Sequence, residues 1–276
     1  MYDVFQADRL IDVWLHEDIG SCDLTAQLMI DENAISTFHM VAREPMFIAG
    51  INVAERVFTR YDSRLNVQTF FKDGQHAIKG DKLLTVSGPA RSILTGERSA
   101  LNILQRLCGI ATETARYAQE IEGTTARLLD TRKTTPGLRM LEKHAVTCGG
   151  GLNHRLGLDN GVMLKDNHIA IAGGIEKAVE RVRKHLPVLT KIEVECDRLD
   201  QVAQALAAGA DVIMLDNMSL EDMRTAVKTI NGAAKIEASG GISIATIRQV
   251  ALTGVDYIST SKITQAAPAV DIGLDE

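Results

Sequence analysis

Lys191-Ile192-Glu193-Val194-Glu195-Cys196 is the stretch on which the fold turns. In an extended strand alternate side chains share a face, so Lys191, Glu193 and Glu195 point one way and Ile192, Val194 and Cys196 the other. The apolar row suits packing against helices. The charged row needs a polar interior, which the mouth of an α/β barrel provides.

Working outward, five further short runs rich in Ile, Val or Leu read as strands: Ala126–Lys133, Val162–Asn167, Asp211–Asn217, Lys235–Ser239 and Asp256–Ser261. Between them, apolar residues at helical spacing predict helices over Ile175–Leu186, Leu199–Ala208, Leu220–Ile230 and Ile244–Thr253. Ser219, followed by Leu220-Glu221-Asp222, has the pattern of an N-cap with acids in the first turn. Alternating β and α units predict a parallel sheet. In such barrels ligands bind at the carboxyl ends of the strands, and here those ends carry Arg132, Lys133, Lys165, Glu195, Asp216, Ser239 and Ser261.

The first hundred residues read as a separate α+β region. Ile35–Ala42 and Leu65–Phe71 alternate, and Asp73-Gly74 and Lys79-Gly80-Asp81 signal turns. A long helical region from about Ala90 to Glu122, interrupted near Gly109, joins the two parts. The expected division is 1–108 for the N-terminal domain and 109–265 for the barrel, with the tail 266–276 packing on the former.

Composition excludes several classes. The 276 residues are 45% hydrophobic and 24% charged, ordinary for a globular protein and unlike a disordered or collagenous chain. A net charge of −6 and an aromatic share of 4% argue against a nucleic-acid surface. No basic and apolar leader and no long apolar run are present, so neither a signal peptide nor a membrane span is expected, and cytoplasmic residence follows. Cys22, Cys108, Cys148 and Cys196 are far apart in sequence and form no C-x-x-C pair, which predicts small buried thiols rather than a zinc site or a disulfide framework.

Against that acidic background the window from Arg132 to Lys165 holds six cations (Arg132, Lys133, Arg139, Lys143, Arg155, Lys165) and only two carboxylates, Glu142 and Asp159. Cations beside apolar strand residues are costly to desolvate unless paired, so an anionic ligand is expected there. Glu195 and Asp216, on neighbouring strands, could hold a magnesium ion that arrives with a diphosphate, or could form an internal salt-bridge network with Lys133 and Lys165. Ser239-Gly240-Gly241 follows a strand and precedes a helical run from about Ser243, as in phosphate sites at helix N-termini; it is also what an ordinary turn looks like. Gly149-Gly150-Gly151 is either a flexible turn or a place where backbone approaches a ligand, and the adjacent Asn153-His154-Arg155 favours a site.

With Asp130-Thr131-Arg132-Lys133-Thr134, Gly149-Gly150-Gly151-x-Asn153-His154-Arg155-x-Gly157-Leu158 and Met163-x-Lys165-Asp166-Asn167-His168, the chain resembles the quinolinate phosphoribosyltransferases. The likeness continues through Gly96-Glu97-Arg98-x-x-Leu101-Asn102, Ile192-Glu193-Val194-Glu195, Met214-Leu215-Asp216-Asn217, Glu237-Ala238-Ser239-Gly240-Gly241 and Asp271-Ile272-Gly273-Leu274, nearly the whole chain. It implies an N-terminal α/β sandwich and an incomplete, open α/β barrel of the type II phosphoribosyltransferases. It also implies a decarboxylating transfer from phosphoribosyl pyrophosphate to quinolinate, with magnesium. By the same resemblance Arg132, His154 and Arg155 bind the quinolinate carboxylates, and Lys133 and Lys165 lie between that acid and the donor. Thr131 belongs to the substrate-binding set, and Arg98 reaches into a neighbouring subunit's site, which requires at least a homodimer. Glu195 and Asp216 face the ribose hydroxyls and magnesium, while Ser239, Gly240, Gly241, Thr260, Ser261 and Lys262 hold the 5-phosphate. Where many members have glycine in the last phosphate turn, this chain has Ser261, then Lys262. Two other readings are a relative associated with molybdenum transport, against which the arginine set argues, and a non-catalytic binding protein, against which Lys133, Lys165, Glu195 and Asp216 argue.

Overall fold

The computed structural model describes residues 3–276, which form two compact units, 3–115 with 135–150 and 266–276, and 116–134 with 151–265. In chain order the elements are α1 (Val4–Ile19), α2 (Leu24–Met29), β1 (Ile35–Ala42), β2 (Met46–Phe47), α3 (Ile51–Tyr61), β3 (Asn66–Thr69), β4 (His76–Ala77), β5 (Lys82–Pro89) and α4 (Ala90–Glu120). They continue with β6 (Arg127–Leu129), α5 (Arg139–Cys148), β7 (Val162–Leu164), α6 (Asp166–Ala172), α7 (Ile175–Arg183), β8 (Ile192–Cys196) and α8 (Leu199–Ala207). The last are β9 (Val212–Asp216), α9 (Leu220–Ile230), β10 (Lys235–Ser239), α10 (Ile247–Ala251), β11 (Tyr257–Ser259) and β12 (Ile272–Asp275).

In the first unit an antiparallel sheet runs β12-β1-β5-β3. Its edge is completed by the chain's tail, with β12 pairing β1 so that His39 lies opposite Asp275. Helix α1 starts at Asp3, whose carboxylate accepts from the Phe5 amide at 3.0 Å. It buries Ala7, Ile11 and Leu15, one face at a spacing of four. That spacing recurs in its ties to α3, where the Arg56 and Arg60 guanidiniums each donate twice, at 2.8 Å, to Asp8 and Asp12.

Helix α4 runs without a break through residue 109, contrary to the interruption expected there. Gly109 serves close approach instead: a Cβ at this position would run into the Pro268 carbonyl oxygen. Gly149 is likewise neither a flexible turn nor a ligand contact, since a Cβ there would meet the Ala111 carbonyl and Thr114 on α4. Gly109 and Gly149 mark where backbone packs against backbone, whereas Gly150, with φ 87° and nothing within 4 Å of a Cβ, is a turn residue.

The second unit is built on a wholly parallel sheet in the order β6-β11-β10-β9-β8-β7. Since β11, the last strand of this sheet, pairs with β6, the first, the sheet curls back on itself. Leu152 adds a parallel bridge to Leu129, and among the described residues no ladder joins β7 to β6, so the barrel stays open. Strand β10 and helix α9 span the residues the sequence predicts, and Ser219 caps α9 by accepting from the Asp222 amide at 3.1 Å. Other elements depart from expectation, among them α5, where no helix is expected. The strand begun at Val162 ends at Leu164, and Asp166–Ala172 is helical; α10 starts at Ile247, not near Ser243. Among the described residues no helix is long and apolar enough to cross a membrane.

Candidate functional site

At the carboxyl ends of the parallel strands lies a cavity of about 620 Å³. It is lined by Thr131, Arg132, Lys133, His154, Arg155, Lys165, Glu195, Asp216, Ser239, Gly240, Gly241, Thr260, Ser261 and Lys262, every predicted site residue except Arg98. Arg98 belongs to the other unit, exposed on α4. Of the six cations in the basic window, Arg132, Lys133, Arg155 and Lys165 reach the cavity. Arg139 and Lys143 do not: they sit on α5, where Lys143 is buried beside Leu141 and Ala145.

The cationic end is made by loops following β6 and preceding β7. Arg155 is anchored by donation from Nη1 to the Gly161 carbonyl at 3.0 Å, with Nη2 against the Met163 sulfur at 3.8 Å. Partial burial and the neighbouring charge of Arg132 hold its pKa below the usual guanidinium value. Two guanidiniums bearing on one another in a cavity favour an anion with two acceptor groups. Asp130 fixes this corner from below. Fully buried, it accepts from the Asn153 amide at 2.7 Å and from the His154 backbone at 2.8 Å.

His154 faces inward as much as toward the cavity. Its Nε2 is 3.0 Å from Glu193 Oε2 on β8 and 3.4 Å from Glu237 Oε2 on β10. Burial opposes the charged imidazole, but hydrogen bonds to the two glutamates more than offset it and push the pKa up to about 10. Burial raises Glu193 as well, against the pull of His154, and the charge of Glu237 adds to the rise. When the ring is neutral, the Arg155 amide 2.7 Å from Nδ1 selects the tautomer with its proton on Nε2, facing the two glutamates. This buried trio was not identified as a unit from the sequence; its signal was the inward parity of Glu193 and Glu237 on their strands.

Of the two arrangements open for the acidic side, the structure contains an internal ion pair: Lys165 Nζ binds Glu195 Oε2. Lys133 is exposed, with its amide donating to Thr131 Oγ1 at 3.0 Å. Asp216, at the end of β9, accepts from the Asn217 amide group at 2.9 Å. Asn217 itself has φ 54°, which places its amide against Gly240, where a Cβ would collide with it.

The turn after β10 works differently from the sequence expectation. The helix that follows begins only at Ile247 and is five residues long, so the Ser239-Gly240-Gly241 turn does not lead directly into a helix N-terminus. Gly240 and Gly241 have φ 87° and 64°, a left-handed pair that exposes successive backbone amides, as in anion-binding nests. Ser259 Oγ donates to Ser239 Oγ at 3.1 Å and ties the ends of β10 and β11, while the Lys262 amide donates to Thr260 Oγ1 at 3.2 Å.

The family model "Quinolinate phosphoribosyl transferase, C-terminal domain" matches 110–275 and its N-terminal counterpart matches 23–108. The probable nicotinate-nucleotide pyrophosphorylase (carboxylating) of Synechocystis is 44% identical over 97% of this chain and 91% of its own length. The Bacillus subtilis protein of the same name is 41% identical over 98% and 93%. The crystal structure of NadC from Streptococcus pyogenes superposes with a TM-score of 0.96 at 41% identity, covering 100% of this chain and 98% of its own. Matched at both domains and over nearly its full length, the chain belongs to the quinolinate phosphoribosyltransferase family.

Proposed function

We propose that this chain joins quinolinate to phosphoribosyl pyrophosphate with loss of carbon dioxide and diphosphate, giving nicotinate mononucleotide for NAD biosynthesis. The observation that carries the reading is the pairing of Arg132 and Arg155 in the same cavity as the Gly240-Gly241 turn. A planar diacid suits two guanidinium forks better than lysine point charges, and the phosphate of a sugar donor suits a turn with exposed amides.

In this reading Arg132, Arg155 and His154 orient the diacid, with Thr131 beside it. Ser239, Gly240, Gly241, Thr260, Ser261 and Lys262 hold the 5-phosphate. The pyridine nitrogen forms a bond to the ribose anomeric carbon as its bond to diphosphate breaks. Positive charge grows on the ribose and negative charge on the leaving group, and the fixed carboxylates and the lysines Lys133 and Lys165 favour that separation. The 2-carboxylate then leaves as carbon dioxide, its electron pair is held by the cationic ring, and the carbon takes up a proton. The hard oxygen donors of Asp216 and Glu195, both lining the cavity, fit magnesium and would hold it there. When bound, the ion would neutralise charge on the diphosphate.

Arg98, exposed on α4, is offered to a second copy's cavity, so the active form is at least a dimer. Four free thiols suit the cytoplasm, where they stay reduced. The deciding experiment supplies the purified protein with magnesium, phosphoribosyl pyrophosphate and quinolinate. Stoichiometric release of carbon dioxide and nicotinate mononucleotide is expected; a protein that binds both ligands and releases neither is a binding protein.

A further inference from the structure

The first unit carries a cluster with no part in the proposed reaction. Helix α5 presents His144 and Cys148 one turn apart on the same face, and the Asp73-Gly74 turn before β4 brings a carboxylate to them. Asp73 Oδ2 is 2.6 Å from His144 Nε2, and Cys148 Sγ is 3.5 Å from that same nitrogen. All three ligand atoms lie within 4.8 Å of one another, and all three residues are half-buried.

The ring nitrogen that lies 2.6 Å from Asp73 also has the Cys148 sulfur at 3.5 Å, so three potential ligand atoms converge on one place. A divalent cation at their centre satisfies all of them. The carboxylate and thiolate supply two negative charges, which cancel a dication and leave a neutral group in a half-buried place. Two ligands about 2.0 Å from a tetrahedral ion stand about 3.3 Å apart. The sulfur–nitrogen separation already matches such a site, and the Asp73 carboxylate has only to draw back by under an ångström from its hydrogen bond. Asp73 is held from behind by its other oxygen, which accepts from the Ile51 amide at 3.1 Å. A mixed oxygen, nitrogen and sulfur set favours zinc over magnesium or calcium.

We infer that Asp73, His144 and Cys148 form a binding site for zinc or a similar borderline-soft dication, with a fourth position open to water. The opening is a cavity of about 450 Å³ lined by Asp73 and His144 together with Asn52, Glu55, Arg56 and Thr59. The ion pins the Asp73-Gly74 turn to the end of α5, directly before Gly149.

The test uses metal-free full-length protein titrated with cobalt(II) in excess magnesium, then with zinc. One equivalent of cobalt should give tetrahedral absorption with a thiolate-to-cobalt charge-transfer band, and zinc should displace it and raise Tm. The band should vanish in Cys148→Ala and persist in Cys22→Ala. A sulfur-free cluster such as His154, Glu193 and Glu237 cannot produce it. No charge-transfer band in the native protein, or one that survives Cys148→Ala, overturns the proposal. Should Cys148→Ala not fold, His144→Gln decides in the same way: loss of the tetrahedral spectrum supports the site and its retention overturns it.

Discussion

His154 Nε2 lies 3.0 Å from Glu193 Oε2, so a ring at the edge of the cavity is held by a carboxylate inside the barrel. With Glu237 at 3.4 Å the imidazole has two acceptors and one donor nitrogen facing them. The cluster binds more protons folded than unfolded at neutral pH. A histidine raised from 6.5 to about 10 contributes stability that is fully present below 6.5 and is lost as pH climbs through 10. The raised Glu193 acts in the same direction. Stability should therefore fall as pH rises across that window. Removing both charges, in Glu193→Gln with Glu237→Gln, should flatten the slope. Urea midpoints measured at several pH values check this, and an unchanged slope in the double variant refutes it.

Arg155 is the second test. Its fork is oriented by the Gly161 carbonyl, and its reading as a carboxylate clamp predicts that lysine cannot replace it. Arg155→Lys keeps the charge and loses the fork, at about 2 kcal/mol, or roughly thirtyfold in kcat/KM for quinolinate. The KM for phosphoribosyl pyrophosphate should hardly move. A variant within about twofold of the parent for quinolinate, on the same tenfold-per-1.4 kcal/mol scale, would show that the fork is not the recognition element.

Most of the barrel was legible because its strands are short apolar runs between amphipathic helices, and Lys235–Ser239 and Leu220–Ile230 were read to the residue. Helices α5 and α6 were not. α5 buries Glu142 and Lys143 alongside Leu141, Ala145 and Val146, so charges interrupt the apolar face that the pattern depends on. Glu142 is tolerated there because Arg106 donates to it at 2.9 Å and Thr135 at 2.7 Å. α6 buries none of its residues and has no apolar face to detect. Its start is fixed instead by the Lys165 backbone amide donating to His168 Nδ1 at 3.1 Å, a local backbone-to-side-chain contact that leaves no trace in apolar periodicity. The residues expected at strand ends line one cavity, because position at a strand end implies direction. The Asp73, His144 and Cys148 cluster was not legible, because spacing rules for cysteine miss a set in which a distant turn supplies the carboxylate.

Lys262 tests the departure from the family's usual glycine. Its side chain is exposed at the cavity and its amide is held by Thr260, so Ser261 sits in a fixed turn and the ammonium is available to a phosphate. Lys262→Ala should raise the KM for phosphoribosyl pyrophosphate roughly fivefold to tenfold, about 1 kcal/mol for a solvated charge-assisted contact, with kcat for bound substrates little changed. Direct titration of the donor against the variant checks it. An unchanged affinity would mean the lysine does not compensate for the serine.

Gly109 separates intrinsic helix preference from packing. In a helix interior, glycine to alanine ordinarily stabilises by about 1 kcal/mol. Here the added methyl meets the Pro268 carbonyl of the segment leading into β12, which is held in place by Gln105 donating to the Ile272 carbonyl at 2.9 Å and by the β1 ladder. The tail cannot withdraw without giving up those bonds, and overpacking of this kind costs about 1–3 kcal/mol. The clash outweighs the propensity, so Gly109→Ala should lower stability by up to about 2 kcal/mol, a Tm decrease of several degrees at roughly 2–4 °C per kcal/mol. If Tm rises instead, the tail yields easily and the glycine is not there for close approach. Removing 266–276 along with the substitution distinguishes the cases further: without the carbonyl, alanine should become neutral or stabilising relative to glycine in the same truncated chain.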